Sequence, residues 1–324
     1  RLNQLPPSRA TQCAVVGFGS YAYPDFCQYA LEVEAALKSQ ENCVLQDAAY
    51  LIHNKSYTSF QTWAHNWGDQ LNLRLDLAPS LPTVKTKVSH FTVIQKQSIQ
   101  DGFGDTFLLT LQANGVPFRS GDLLAIEPPE DPVERLYSIA KIQGNQVLLS
   151  VKRHEQGVCS NYLNRLGVAD KLEAGIQSNK EFHFPERVPS ATLISNGTGI
   201  APFLGMIQEK RMHTEVYLYW GGRNSQSYAL YEPWIAAALD RKSLDHIAVA
   251  YSREESPYAY VQDIVRNIQR EIAERLHQGG VIMLCGSIGM QNAVLKLLEE
   301  ICEKHTGEKL SYYQNRGQIL MDCY

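Results

Sequence analysis

The chain has 324 residues and a formal net charge of −4, and 20% of its residues are charged, a composition typical of a globular protein with about two or three domains. The negative charge and scattered basic residues argue against a nucleic-acid-binding surface, and no apolar run is long enough to span a membrane. The seven cysteines are odd in number and lack C-x-x-C spacing, which disfavours a disulfide framework and a zinc site and favours a reducing, cytoplasmic setting.

The first stretch, residues 1–75, begins with an apolar run at 13–17 that predicts a strand, followed by a turn and a helical pattern through Phe26 and Ala35. Glycines in the turn permit a tight loop at the carboxyl end of the strand, where open α/β sheets bind ligands. Tyr21 and Tyr23 would offer flat rings there, or would simply be exposed side chains of a structural turn. Because the chain starts at Arg1 without an initiator Met or a signal peptide, we expect a piece of a longer protein. One option is the cytoplasmic part of a membrane-anchored chain.

Residues 76–87 predict a linker, since prolines and small residues discourage both helix and sheet. From residue 88 the pattern changes to short alternating runs separated by turn residues, which predicts a small antiparallel barrel over residues 88–187. The predicted strands lie at 91–94, 106–111, 121–126, 136–142 and 147–151.

The first candidate binding motif in the barrel is Arg135-Leu136-Tyr137-Ser138, at the start of a predicted strand. Its guanidinium suits a bidentate contact with phosphate, its ring suits stacking, and its hydroxyl can donate a hydrogen bond. Read alone, the same residues also fit a strand with a surface arginine and a half-buried tyrosine.

A second motif, Gly157-Val158-Cys159-Ser160, reads as a glycine turn into a short helix whose first backbone N–H groups are available to an anion. Alone it is also consistent with a simple helix start.

The third motif is a Gly197-Thr198-Gly199 turn between an apolar run at 191–194 and a helix with Pro202 in its first turn. Glycines let the backbone approach a phosphate closely, and the helix start favours an anion, so the turn predicts a pyrophosphate site. Bare turn chemistry is the alternative.

From residue 188 to residue 324, strands alternate with helices, which predicts a parallel sheet covered by helices that binds a nucleotide at its carboxyl edge. Three of the strand ends carry usable groups: Arg223 follows the second strand, Ser252 and Arg253 follow the third, and Cys285 ends the fourth. The predicted strands lie at 191–195, 216–220, 246–251, 281–285 and 318–321.

The order of the three motifs resembles the ferredoxin–NADP reductase family of flavoproteins over residues 86–324. The resemblance implies a flavin-binding FR-type barrel that holds FAD, followed by an NADP-binding α/β domain. FAD contacts are implied for Arg135, Leu136, Tyr137, Ser138, Gly157, Val158, Cys159, Ser160 and Tyr324. NADP contacts are implied for Gly197, Thr198, Gly199, Pro202, Arg223, Ser252, Arg253, Tyr260 and Gln262. Ser252 and Arg253 suit an adenosine 2′-phosphate, so NADPH is favoured over NADH, although Tyr258 stands where diflavin members often have lysine.

Residues 1–75 resemble the second half of the flavodoxin-like FMN domain of diflavin reductases, the group of NADPH–haemoprotein reductases and sulfite reductase flavoproteins. The resemblance implies that the loop with Tyr21 and Tyr23 flanks FMN. The Ser/Thr-rich phosphate loop of that domain is missing, and the short interval from the linker to Arg135 leaves no room for a helical connecting domain.

The implied activity is hydride transfer from NADPH to FAD, followed by single-electron transfer through FMN to a haem or iron–sulfur acceptor protein. Ser138, Cys285, Asp322 and Tyr324 are the implied catalytic groups, with Tyr324 on the flavin face. A single-flavin reductase acting directly on ferredoxin or flavodoxin is one alternative, and a non-enzymatic nucleotide-binding scaffold is another.

Overall fold

The computed structural model describes residues 11–19, 27–40, 42–53, 57–73, 75, 77, 87–100, 105–129, 131, 133–155, 157–209 and 213–324. The chain divides into two compact units, residues 1–84 and 85–324. Tyr21, Tyr23 and most of the predicted linker lie outside the described residues.

The first unit is an α/β arrangement of short parallel strand pairs and two helices. The predicted strand at 13–17 is interrupted at Ala14 and Val15, so that its ends belong to two separate short strands. The elements are β1 (Thr11–Cys13), β2 (Val16–Gly19), α1 (Gln28–Lys38), β3 (Cys43–Leu45), β4 (Tyr50–His53) and α2 (Tyr57–Gln70). β1 pairs with β3 and β2 with β4, both in parallel. Helical spacing brings Phe60, Trp63 and Trp67 of α2 together, with successive ring centroids 5.7 Å apart.

The second unit begins with an antiparallel sheet of seven strands. Its elements are β5 (Val88–Gln100), β6 (Asp105–Ala113), β7 (Leu123–Ile126), β8 (Arg135–Ser138), β9 (Ala140–Lys141), β10 (Gln146–Lys152), α3 (Val158–Arg165) and β11 (Lys171–Gln177). The strand order is β8-β7-β11-β5-β6-β10-β9. Only Ile139 separates the two edge strands, β8 and β9, so the sheet must be rolled to bring its edges together. The sequence analysis missed β11.

Alternation along the strands buries both faces of this sheet. Phe107 and Leu109 of β6 point into the core of the rolled sheet. The intervening Leu108 and Leu148 of β10 belong instead to a second core, which also contains Phe203 from the rest of the second unit. Because successive side chains of a strand point to opposite faces, one strand contributes to two cores. Full burial of each such side chain contributes roughly 1.5–3 kcal/mol to stability.

The rest of the second unit is a five-stranded parallel sheet with helices on both faces, and all five predicted strands are confirmed. Its elements are β12 (Ser190–Asn196), α4 (Ala201–Met206), β13 (Glu215–Gly222), α5 (Ser225–Ala229), α6 (Glu232–Asp240), β14 (His246–Tyr251), α7 (Val261–Asn267), α8 (Gln269–His277), β15 (Val281–Gly286), α9 (Ile288–His305), α10 (Leu310–Asn315) and β16 (Ile319–Cys323). The strand order is β14-β13-β12-β15-β16. Within the described part of the chain, no helix combines the length and apolarity needed to cross a lipid bilayer.

Candidate active site

A cavity of about 460 Å³ opens at the carboxyl edge of the parallel sheet, beside the ends of β12, β13 and β15. The chain reverses its direction of sheet growth between β12 and β15, and open α/β sheets bind ligands at such a switch point. Residues from both sheets of the second unit line the cavity, including Lys152, Thr198, Arg223, Ser252, Tyr260 and Gln262.

The glycine turn after β12 is a short 3-10 helix, Gly197–Ile200, that leads directly into α4 with Pro202 in its first turn. Gly197 has a φ of 53°, a left-handed conformation that glycine adopts without strain. At Gly199, a Cβ atom would lie 2.2 Å from the carbonyl oxygen of Cys285. The first glycine therefore permits the turn, and the second lets it pack against the end of β15.

Four of the predicted nucleotide-binding residues line the cavity from neighbouring strand ends: Arg223 after β13, Ser252 after β14, and Tyr260 and Gln262 at the start of α7. Arg253 is exposed and lies outside the cavity lining, although its backbone N–H donates to the carbonyl of Arg223 at 2.7 Å. The loops after β13 and β14 are thus joined, and the Arg253 side chain would have to turn inward to meet a ligand.

The acidic neighbour of Arg253 does not bind it. The Glu254 carboxylate instead accepts hydrogen bonds from the backbone N–H and hydroxyl of Ser225, at 2.7 and 2.9 Å. This contact also joins the loops after β13 and β14.

Ser138 and Asp322, which are far apart in sequence, meet where the two sheets of the second unit adjoin. The Ser138 hydroxyl donates to the Asp322 carboxylate at 2.6 Å. Burial raises the pKa of Asp322, and the hydrogen bond from Ser138 opposes that rise. Cys285 pairs with Asp322 in the β15–β16 register and is fully buried, and its burial followed by the nearby carboxylate raises the pKa of its thiol. Three of the predicted catalytic groups therefore form one cluster.

Tyr324, the fourth predicted catalytic group, is fixed through its backbone. Its N–H donates to the carbonyl of Gly286 at 2.9 Å, and its carbonyl accepts from the N–H of Ile288 at 3.3 Å. The residue as a whole is 56% exposed, and its hydroxyl lies 3.1 Å from the hydroxyl of Thr198 in the glycine turn. The ring therefore lies beside the cavity and contacts the predicted pyrophosphate site.

The predicted flavin-binding residues of β8 include Tyr137, whose side chain is partly buried. Its hydroxyl hydrogen-bonds to the Cys159 thiol of α3, and burial raises the pKa of Tyr137, with smaller effects from Cys159, Arg135 and Tyr324. The Arg135 guanidinium donates to Asp131 at 2.8 Å and to the carbonyl of Val133. One neighbourhood therefore holds a cation, a phenol and the ring of Tyr324.

The second flavin motif forms the start of α3, with Gly157 as its N-cap. The Ser160 hydroxyl is used inside this turn, since it donates to the carbonyl of Gly157 at 3.2 Å and accepts from the N–H of His154 at 3.1 Å. Its side chain therefore stabilises the loop, and its implied contact with FAD stays a prediction.

These surroundings fit a flavin and a dinucleotide. Three large apolar side chains at this site expose much of their surface: Leu136 at 48%, Val158 at 39% and Tyr324 at 56%. A flat ring system would cover them, and Arg135 beside them suits its phosphates. On the nucleotide side, a Cβ atom at Gly197 would meet nothing within 4 Å, so the turn is open to an approaching phosphate.

Two further residues of the cavity were not found from the sequence. Lys152 ends β10 in the antiparallel sheet, paired with Thr106, and both line the cavity. Asn196 joins the two loops at the switch point: its Oδ1 accepts from the N–H of Ser287 at 2.8 Å and its Nδ2 donates to the Ser287 hydroxyl at 3.0 Å. For Lys152 the sequence offers a weak signal, a lysine at the end of an apolar run. No local pattern marks Asn196.

Comparison with known proteins agrees with this geometry. Residues 193–296 match the family model of the oxidoreductase NAD-binding domain. Ferredoxin–NADP reductase root isozyme 1 of Arabidopsis thaliana chloroplasts is 28% identical over 292 residues, which cover 76% of each chain. The nitric oxide synthase of Anopheles stephensi is 35% identical over 172 residues, or 48% of this chain, and the match covers only 14% of that enzyme.

Among solved structures, the ferredoxin–NADP⁺ reductase from Plasmodium falciparum superimposes with a TM-score of 0.61 at 18% identity, and the match covers 73% of this chain and 96% of that one. At this level of identity the superposition establishes a shared fold.

Proposed function

We propose that the chain is a ferredoxin–NADP reductase-type, NADPH-dependent flavoprotein oxidoreductase that passes hydride from NADPH to FAD and then single electrons through FMN to a haem or iron–sulfur protein. The observation that carries this proposal is the meeting of Ser138 from the antiparallel sheet with Asp322 and Cys285 from the parallel sheet. A predicted flavin contact, Ser138, is thereby combined with two further predicted catalytic groups in one cluster.

NADPH would be held by the groups at the carboxyl edge. Thr198 and the glycine turn would take the pyrophosphate, and Arg223, Ser252 and Arg253 would take the 2′-phosphate. Tyr260 and Gln262 line the same cavity and would flank the adenosine. A planar guanidinium and a hydroxyl match a phosphate dianion, whereas a carboxylate would be needed to accept hydrogen bonds from the ribose hydroxyls of NADH.

FAD would be held by Arg135 at its phosphates, by Tyr137 against its ring and by the start of α3 at residues 157–160. When bound, it supplies a centre that accepts two electrons as hydride and releases them singly. The protein contributes position, which in well-oriented reactions is worth roughly 7–11 kcal/mol of the barrier.

Ser138 and Asp322 would act as a pair on the nicotinamide. The carboxylate holds the hydroxyl proton of Ser138 at Oδ2, so the serine oxygen is oriented before a ligand arrives. Partial burial strengthens the interaction of the carboxylate with positive charge that develops on the nicotinamide.

Tyr324 would control access to the flavin face. Because its backbone is bound to Gly286 and Ile288, its ring can leave only by side-chain rotation, which breaks the hydrogen bond to Thr198. A single bond of this kind contributes about 1 kcal/mol, so the rotation is within reach of the binding energy of a nucleotide.

The role of FMN rests on the first unit. Its parallel strands and helices agree with part of a flavodoxin-like domain, but Tyr21 and Tyr23 lie outside the described residues. The long match with a ferredoxin–NADP reductase favours the alternative of a single-flavin reductase, which would act without FMN.

Absorbance spectroscopy and anaerobic stopped-flow reduction by NADPH test the proposal. The purified protein should be yellow, and extracted flavin should contain FAD, with FMN present only if the diflavin assignment is right. Ser138→Ala should retain its FAD and slow flavin reduction by about tenfold or more, because the oriented hydroxyl is lost. A colourless protein would exclude the function, and an unchanged rate would remove the role of Ser138.

A further inference from the structure

We propose that Trp220 is a positioning residue for the phosphates of the nucleotide, acting through the peptide bond that joins Gly197 to Thr198. Its indole N–H donates to the carbonyl oxygen of Gly197 at 2.9 Å. The inference rests on the proposed function, since it concerns the same nucleotide site.

In a trans peptide bond the carbonyl and the N–H point in opposite directions, so a donor that fixes the Gly197 carbonyl also fixes the direction of the Thr198 N–H. The described residues contain no cis peptide bond, so the Thr198 N–H points away from the Gly197 carbonyl. Because the carbonyl accepts from the indole, the Thr198 N–H is directed away from that donor. In the proposed arrangement this N–H is aimed into the cavity, which Thr198 and Trp220 both line. An N–H aimed there is the donor that a phosphate oxygen requires.

The orientation of this peptide depends on its hydrogen bonds, because Gly197 offers little steric resistance to rotation. It has a left-handed φ and an open position where a Cβ would be. A fixed donor on its carbonyl therefore selects one orientation of the peptide before a ligand arrives.

The indole is well suited to act as that fixed donor. Trp220 is 1% exposed, and its ring lies among three tyrosines, Tyr228, Tyr231 and Tyr251, with centroids 5.5, 5.7 and 6.5 Å away. Gly222 leaves the space that the ring occupies, since a Cβ there would lie 2.1 Å from Cη2 of the indole. The ring is packed on several sides and cannot turn away from the carbonyl.

This aromatic block is also fixed to the antiparallel sheet. The Tyr231 hydroxyl lies 2.8 Å from the hydroxyl of Ser150 on β10, and both side chains are buried. The glycine turn is thereby held relative to both sheets, between which the predicted flavin and nucleotide would have to meet.

Calorimetric titration of the FAD-loaded protein with two ligands tests the inference. NADP⁺ carries the pyrophosphate that would contact the glycine turn. 2′-AMP has the same adenosine and 2′-phosphate but no pyrophosphate. Trp220→Phe should weaken NADP⁺ binding about five- to tenfold, the effect of one lost hydrogen bond, and change 2′-AMP binding less than twofold. Trp234→Phe is the matched control, because Trp234 packs on the same core outside the cavity lining and should affect neither ligand.

Equal affinities of Trp220→Phe and wild type for NADP⁺ would overturn the inference, and so would equal weakening of both ligands, which would indicate a general structural effect. If the wild type binds neither ligand, the proposed function itself fails. If Trp220→Phe does not fold, NMR of the ¹⁵N-labelled wild type replaces it. The chain has four tryptophans, and Trp→Phe variants of the other three identify their indole N–H signals, which leaves the fourth signal for Trp220. The Trp220 signal should shift with NADP⁺ and not with 2′-AMP, and an unmoved signal would overturn the inference.

Discussion

Asp322 shows at the scale of one residue how burial and function oppose each other. Its carboxyl lies between the two sheets, accepts from Ser138 and lies next to Cys285 in the strand register. Burial raises its pKa more than the hydrogen bond lowers it. An ionised Asp322 therefore costs stability, and the proposed action of its carboxylate on the nicotinamide gives a reason for that cost.

The sign of this effect gives a test by pH. An ordinary Asp titrates near pH ~3.9, and the raised pKa of folded Asp322 means that the unfolded chain loses the proton first as pH rises. Stability conferred by the protonated form is present at low pH and is lost as pH rises toward and through the folded pKa. Asp322→Asn cannot ionise, so its melting temperature relative to wild type should be higher at pH 7 than at pH 4.

Thermal denaturation followed by circular dichroism measures this difference. Asp240→Asn, at the exposed end of α6, is the matched control, because it makes the same substitution outside the cluster. The same melting-temperature difference at pH 4 and pH 7 would contradict the prediction.

Residue types and motif order were enough to predict which side chains meet at Asp322, but not every group around the cavity. Lys152, Asn196 and Trp220 belong to three separate strands, and each reaches the site through a contact that only the folded sheets create. The sequence pattern around each residue does not predict such contacts between distant segments. Arg253 illustrates the reverse case, because it was predicted to bind the nucleotide but its exposed side chain lies outside the cavity lining.

At the scale of elements, the close approach of β12 and β15 depends on Gly199. A methyl group added at this position would lie 2.2 Å from the backbone carbonyl oxygen of Cys285, which cannot move without separating the strands. Gly199→Ala should therefore lower the free energy of unfolding by about 1–3 kcal/mol and weaken NADP⁺ binding. Urea denaturation and NADP⁺ titration measure the two effects.

Gly289→Ala is the matched control for stability. Gly289 lies in the first turn of α9, where a Cβ would meet nothing within 4 Å. Alanine favours helix by up to about 1 kcal/mol, so this variant should be as stable as wild type or more stable. If both variants changed stability equally, crowding at Gly199 would not be the cause.

Element prediction succeeded where the pattern was strong. The three central strands of the parallel sheet, β13, β12 and β15, are nearly continuous apolar runs buried on both faces, whereas the edge strands β14 and β16 are only partly buried. Each of the five strands was found within a few residues of its predicted bounds. β11 was missed because Lys171 and Glu173 alternate with short or small apolar residues, so its run resembles a surface loop until β5 and β7 pair with it.

At the scale of the whole second unit, one apolar core spans both sheets, and a polar contact crosses it. Leu148 of the antiparallel sheet and Phe203 of α4 belong to the same core, and the buried hydroxyls of Ser150 and Tyr231 pair within it. A buried hydroxyl that loses its partner costs about 1–3 kcal/mol, whereas removal of both partners can be nearly neutral.

A double-mutant cycle tests this contact. Tyr231→Phe should destabilise the protein by about 1–2 kcal/mol, and adding Ser150→Ala should restore part of that loss, giving a coupling of about 1 kcal/mol in urea denaturation. Strictly additive effects would show that the two hydroxyls do not stabilise each other.

The rolled antiparallel sheet has a consequence for how other proteins can approach it. Its two outermost strands, β8 and β9, have only four and two residues and are joined through Ile139. Short edge strands leave few unpaired backbone groups for a strand of another protein to pair with, and natural sheets avoid intermolecular pairing and aggregation in this way. An electron-accepting protein would therefore have to recognise side chains on the surface of this sheet and could not extend its ladder.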